Sequence, residues 1–140
     1  MAGTINVDIV SAEGELYSGV AAMVFVPASQ GELGIAPRHA PLLTMLKPGE
    51  VRVQDPSGEQ HAFYVGGGAL EIQPQRVTVL ADTALRARDL DEAAALAAKQ
   101  RAEEALAQKG DALSIAEAQA ELLRAVAQIR MIQRLREIKK

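Results

Sequence analysis

Apolar and polar positions alternate at the start of the chain, with Ile5, Val7 and Ile9 set against Asn6 and Asp8. A period of two puts the first three side chains on one sheet face and the other two on the opposite face, which predicts a half-buried strand. Val20–Val26 predicts a second strand, stopped by Pro27. Val51–Val53 runs into Asp55-Pro56-Ser57-Gly58, where Pro presets the second position of a turn, so a hairpin is expected. Ala62–Val65, Ala69–Ile72 and Val77–Leu80 continue the series, with Gly66–Gly68 and Gln73–Gln75 as connections. Short strands with frequent turn signals and no amphipathic helix between them indicate an antiparallel sandwich or barrel.

From residue 89 the period changes. Asp89 precedes Leu90-Asp91-Glu92, so Asp89 is the expected cap of a helix, with Glu92 three residues on as in a capping box. This helix is expected to reach Lys109, with Gly110 supplying the left-handed residue that ends it. Ser114-Ile115-Ala116-Glu117 is read as a second box, opening a helix that continues to the chain end. Only Gly110–Leu113 separates the two helices, which therefore return antiparallel as a hairpin. Ala94, Ala98, Ala102 and Ala105 form a small-residue stripe on the first helix, and Leu122, Val126, Ile129 and Ile132 a bulkier one on the second.

Composition places the same division. All six Pro, ten of the eleven Gly and eighteen Val, Ile or Thr fall within residues 1–87, whereas the remaining 53 residues hold one Gly, no Pro and fourteen Ala. β-Branched side chains suit a pleated surface and Ala loses no side-chain freedom in a helix, so the boundary is expected near Ala87–Asp89. The fold class is thus all-β plus α: an N-terminal antiparallel β-sandwich, residues 1–87, followed by an antiparallel two-helix hairpin, residues 88–140.

Charge separates the helical part further. Residues 88–121 carry four Lys or Arg against eight Asp or Glu, while residues 122–140 carry six cations against Glu137 alone. Cations sit well at a helix C-terminus and keep a surface helix solvated. They also share this helix with Met131, Ile132, Leu135 and Ile138, so a second reading is docking on an acidic protein surface or on a membrane. The overall charge of −3 argues against nucleic acid as the main partner. With no Cys there is no disulfide and no thiolate site, and no apolar run approaches the ~20 residues of a membrane span. The N-terminus has no basic flank before an apolar segment, and a reducing, cytoplasm-facing location is expected.

Catalytic chemistry is sparse. His61 sits in an expected strand as a surface or cross-strand residue, and His39 lies in the irregular Pro37-Arg38-His39-Ala40-Pro41, which suits recognition or turn packing. Neither has a His three or four residues on, so no metal site is expected. Gly66-Gly67-Gly68 precedes a strand rather than a helix, which favours a bulge or close backbone approach over a phosphate cradle. Four aromatic residues are too few for stacking on single-stranded nucleic acid.

Gly31-Glu32-Leu33-Gly34-Ile35-Ala36-Pro37-Arg38-His39-Ala40-Pro41-Leu42-Leu43-Thr44, followed by Leu46-Lys47-Pro48-Gly49, resembles the epsilon subunits of bacterial F-type ATP synthases. The resemblance extends through Tyr17-Ser18-Gly19, Gly66-Gly67-Gly68, residues 77–84 and Asp89-Leu90-Asp91-Glu92-Ala93, and so covers nearly the whole chain. It implies a non-catalytic rotor subunit on the cytoplasmic face of the bacterial plasma membrane, peripheral and membrane-associated only through the complex. The implied partners are the gamma subunit, the ring of c subunits and the alpha/beta catalytic head. The implied task is to couple proton translocation to ATP synthesis. In that family the loop containing Glu32 and the segment at His39 face the c-ring, so these two residues carry an expected contact role.

The resemblance further implies a hairpin that lies folded on the sandwich or extends into the head to restrain ATP hydrolysis. Arg124, Arg130, Arg134 and Arg136 are then the candidates for contact with the acidic lower part of the beta subunits. Some family members bind ATP at the hairpin through a Leu/Ile-Asp-x-x-Arg-Ala motif. The matching stretch is Leu90-Asp91-Glu92-Ala93-Ala94-Ala95, with Ala94 where the motif has Arg, which removes the planar donor suited to a phosphate. Asp91, Arg101 and Arg124 then leave a weak nucleotide site at most; helix capping and solvated charge are the preferred reading, and no cofactor is expected. The competing reading is an adaptor unrelated to any ATPase.

Overall fold

The computed structural model describes residues 3–108 and 110–138. Eight strands come first: β1 (Ile5–Ser11), β2 (Gly14–Ala21), β3 (Met23–Ala28), β4 (Gly31–Ile35), β5 (Leu42–Gln54), β6 (Gln60–Gln73), β7 (Arg76–Ala81) and β8 (Ala84–Arg86). A single 3-10 turn, Ala87–Asp89, leads to α1 (Glu92–Ala107) and α2 (Ala112–Ile138). The chain divides into two compact units, one ending at Ala87 and the other beginning at Arg88.

Hydrogen bonds join the strands in the order β2-β1-β7-β6-β5-β3-β4, with β8 on β6. Two strands of unusual length make a sandwich from this path. β5 pairs with β6 from Leu42↔Ile72 to Gln54↔Gln60. Residues 52–54 of β5 continue into β3, residues 68–73 of β6 continue into β7, and residues 63–65 carry β8. Ile5, Val7 and Ile9 of β1 are buried, as their alternation predicts. They meet Val24, Val26, Ile35, Val51, Val53, Leu70, Ile72, Val77 and Val79 in one core.

Four strand expectations need correction. The Val20–Val26 run is two strands, because the chain leaves β2 at Ala21 and enters β3 at Met23. Pro27 does not stop β3; it lies inside it, opposite Glu32 of β4, where the pairing to β5 slips between Phe25 and Ala28. A register slip leaves a position without a ladder N–H, which is where Pro is tolerated. Gly66–Gly68 does not separate two strands but runs through the middle of β6. The sandwich is also not wholly antiparallel, since β1 pairs with β7 in parallel from Asn6↔Arg76 to Ser11↔Ala81. No short turn links these two strands, so nothing forces the antiparallel sense that a hairpin imposes.

The triple glycine is a close approach, as expected. Gly67 and Gly68 have φ of 110° and 132°, and a Cβ on Gly68 would stand 2.1 Å from the Leu80 carbonyl oxygen of β7. The β5–β6 turn follows its sequence: the Asp55 Oδ1 accepts from the Ser57 N–H (2.9 Å), the Ser57 hydroxyl (2.6 Å) and the Glu59 N–H (3.0 Å). These bonds, Ser57 first and then His61, hold the Asp55 carboxyl at about 2.

In the helical unit both caps move. Asp91, not Asp89, caps α1 by accepting from the Ala94 N–H at 3.1 Å, because Ala87–Asp89 is already spent in the 3-10 turn. Asp111, not Ser114, caps α2 by accepting from the Ser114 N–H at 2.8 Å. α1 ends at Ala107 with Gln108 as its C-cap, and Lys109 lies outside the described residues. Glu92 pairs with Arg136 and Arg101 with Glu121, so the partner number falls along α2 as it rises along α1 and the helices run antiparallel. The fully buried residues are Ala95 and Ala102 on α1 and Ala118, Ala125 and Met131 on α2. Ala94 and Ala105 are exposed, and Leu122, Val126, Ile129 and Ile132 are only half-buried. The covered positions of the hairpin are thus mostly Ala, and the bulkier stripe expected on α2 is only partly covered.

Candidate interaction surfaces

The expected ring-contact residues come from β4 and the loop behind it. Glu32 lies in β4, opposite Pro27 of β3, and is exposed. It lines a shallow cavity of about 330 Å³ with Gly31, Leu33, Leu42, Leu43 and Thr44. Leu43 and Met45 next to it are 73% and 61% exposed, unusual for residues of a strand that enters a dense core. His39 lies in the 36–41 loop, which is tied to the β6–β7 turn by a 2.9 Å bond from the Arg38 N–H to the Pro74 carbonyl. Arg38 has φ of 65°, the only non-glycine residue at positive φ among those described. The half-buried His39 ring donates from Nδ1 to the Ala40 carbonyl at 2.7 Å. A carbonyl only accepts, so Nδ1 carries hydrogen and Nε2 is the acceptor of the neutral ring. His39 is not part of the cavity that Glu32 lines.

Glu32 is already paired. The Arg52 guanidinium of β5 hydrogen-bonds to Glu32 Oε1 through Nη2, lies 3.8 Å from Glu50 through Nη1, and sits 4.8 Å above the centre of the Phe25 ring. Neither Arg52 nor the exposed Leu42, Leu43 and Met45 stood out in the sequence. The period-2 pattern puts Glu50 and Arg52 on one face of β5, but their reach to Glu32 depends on β3 and β4 pairing alongside.

A second group was missed for a similar reason. The β5–β6 turn brings Asp55, Glu59 and His61 together, with one donor atom from each within 4.8 Å of the others. His61 Nε2 lies 3.1 Å from Asp55 Oδ2, and its ring lies 5.6 Å from that of Tyr17. Partial burial, and then the Asp55 charge, raise the Tyr17 phenol above its ordinary range. The carboxylates lie two and six residues upstream of His61 and reach it through a turn, a spacing unlike that of a helical His pair.

The candidate cations of α2 differ in circumstance. Arg124 and Arg130 are exposed. Arg134 is half-buried and engaged. Arg136 donates to Glu92 Oε2 across the hairpin. Lys139 and Lys140 lie outside the described residues. The nucleotide candidates are also occupied by structure. Asp91 caps α1, and Arg101 donates to Glu121 Oε1 at 3.3 Å. Asp91 and Arg101 stand ten residues apart on one helix, about 15 Å along its axis. Arg124 lies one turn beyond Glu121, the partner of Arg101.

A dense β-unit with an exposed apolar rim, followed by an Ala-seamed hairpin, is the build of a binding subunit in a larger assembly. Two family models describe the chain in those terms: "ATP synthase, Delta/Epsilon chain, beta-sandwich domain" matches residues 4–87, and "ATP synthase, Delta/Epsilon chain, long alpha-helix domain" matches residues 88–133. The chain is 64% identical over 137 residues to the ATP synthase epsilon chain of Nitrosococcus oceani, covering 98% of each. It is 61% identical to that of Alkalilimnicola ehrlichii, covering 95% of each. A chain in the Euglena gracilis mitochondrial ATP synthase OSCP/F1/c-ring structure has the same fold, with a TM-score of 0.71 at 16% identity over 98% of this chain and 82% of that one. The chain belongs to the ATP synthase delta/epsilon family and is a non-catalytic epsilon subunit of that complex. No helix among the described residues is long and apolar enough to cross a membrane.

Proposed function

We propose that the chain is a central-stalk subunit that links gamma to the c-ring, helps couple proton translocation to ATP synthesis, and restrains ATP hydrolysis through its hairpin. It works at the cytoplasmic face of the bacterial plasma membrane, peripheral and held there through the complex. The observation that carries this reading is the division at Ala87–Arg88 into units of unlike packing. A β-unit whose core is made of buried Ile, Val and Leu transmits force without deforming. A hairpin closed mainly on Ala methyls has less to lose when it changes partners.

On this reading Glu32 and His39 meet the ring's polar loops. Arg124, Arg130, Arg134 and Arg136 meet acidic surface on the beta subunits, with Arg136 exchanging Glu92 for the new partner. No nucleotide is assigned to the hairpin, since Asp91 and Arg101 have structural tasks and Ala94 brings no donor. Saturable ATP binding at millimolar affinity or tighter, measured by calorimetry on the isolated chain, contradicts that assignment. The stalk role is tested by co-purifying the full chain with gamma and with the c-ring. Association with both is expected. Association with neither favours the adaptor reading.

A further inference from the structure

Three adjacent strands cooperate at Glu32. Arg52 of β5 is in register with Phe25 of β3, and Phe25 is in register with Gly34 of β4. Glu32 and Gly34 are two residues apart on β4 and therefore share a face. A Cβ on Gly34 would stand 3.2 Å from Met23 Cε and 3.4 Å from Phe25 Cε1. The missing side chain at Gly34 leaves room for the Phe25 ring, and the Arg52 guanidinium passes over that ring to reach Glu32. The guanidinium is steadied from a second side by Glu50, whose side chain is 12% exposed, whereas that of Glu32 is 55% exposed. Anchored at its buried end and paired at its exposed end, Arg52 is built to hold a surface carboxylate in one place.

We infer that Arg52 is the positioning residue for Glu32: seated over the Phe25 ring, its guanidinium holds Oε1, so that an incoming cationic or N–H donor partner binds a carboxylate already fixed in direction. The inference rests on the ring-contact role proposed for Glu32. Two opposed effects follow from the same pair. Arg52 cancels part of the charge that would attract a basic partner at a distance, and it removes the rotamer freedom that Glu32 would otherwise lose on docking. The geometry points to the second effect as the one that governs binding. Among the described residues the Glu32 carboxylate is held by Arg52 alone and through Oε1, so Oε2 remains available to the partner.

The experiment compares the full chain with Glu32→Gln, Arg52→Lys, Arg52→Met and the Arg52→Met/Glu32→Gln double variant. Affinity for the purified c-ring is measured at two salt concentrations, and thermal melts confirm that each variant folds. Positioning predicts roughly tenfold weaker binding for Arg52→Met. It predicts a smaller loss for Arg52→Lys, which keeps charge but not the planar fork, and no further loss in the double variant beyond Glu32→Gln alone. Three-bond couplings of the Glu32 side chain in the free chain give a readout independent of the ring: one rotamer in the parent, averaging in Arg52→Met. Binding that is unchanged or tighter in Arg52→Met, with Glu32→Gln weakened, overturns the positioning role and leaves the ring contact standing. Binding unaffected by Glu32→Gln overturns both.

Discussion

The two units bury different kinds of side chain. The β-unit encloses Ile5, Ile9, Ile35, Leu70, Ile72 and a set of valines at 0–1% exposure, together with the backbone of a triple glycine pressed against β7. The hairpin encloses four alanines and Met131, and leaves Leu96, Leu113, Leu123 and Ile138 exposed. Burial of an Ile or Leu side chain is worth about 1.5–3 kcal/mol, several times that of an Ala methyl. The first unit is therefore the rigid body, and the second holds its form with a small margin that capping and pairing at its ends supplement.

The largest break in this contrast is expected at Gly68. Gly68→Ala forces a Cβ toward the Leu80 carbonyl at a φ that L-residues rarely adopt, and should destabilise the β-unit by on the order of 4 kcal/mol in urea unfolding. A loss under about 1 kcal/mol would mean that β6 and β7 separate easily. In the hairpin the largest single-residue effect away from the seam is expected at its cap. Asp91→Ala should cost about 1 kcal/mol, read as lost helicity by circular dichroism at temperatures where the β-unit is intact.

Acid should loosen both units through one carboxylate each. Asp55 is held at about 2 against an ordinary 3.8, and hydrogen bonds from Ser114 also lower Asp111. A carboxyl depressed in the folded state contributes stability above its unfolded value, and this is lost as pH falls through the folded one. For Asp55 the window runs from about 4 down to about 2. Protection of the Ser57 and Glu59 amides against exchange, relative to their intrinsic rates at each pH, should fall across it, and Asp55→Asn should flatten the change. The smallest effect is expected from Arg136→Ala, which removes an exposed pair with Glu92 worth at most about 1 kcal/mol, screened further by salt. A larger loss, persisting in high salt, would show that the pair clamps the hairpin.

Much of this was legible in the sequence because local rules decide it. The alternation at Ile5–Ile9, the Asp55-Pro56-Ser57-Gly58 turn and the compositional step at residue 87 each act within a few residues. What escaped needs partners distant in sequence. β4 reads as a glycine-rich loop until β3 pairs along it, and the Arg52–Glu32 bond exists only because β3 lies between their strands. Parallel pairing of β1 with β7 joins residues about seventy apart. The caps shifted by two or three residues because several Asp and Ser compete for the same N–H groups, and only the backbone before the helix decides among them. Of the candidate sites, Glu32 and His39 were placed by family resemblance, whereas the apolar rim at Leu43 and Met45 and the hold on Glu32 came from the fold.

The division of labour between the two units is tested most directly by ATP hydrolysis in a reconstituted head bearing either the full chain or residues 1–87 alone, with co-purification confirming that both remain bound to gamma. The account predicts that the truncated chain binds as the full chain does and that hydrolysis is faster with it. Equal hydrolysis rates with both chains bound would contradict it.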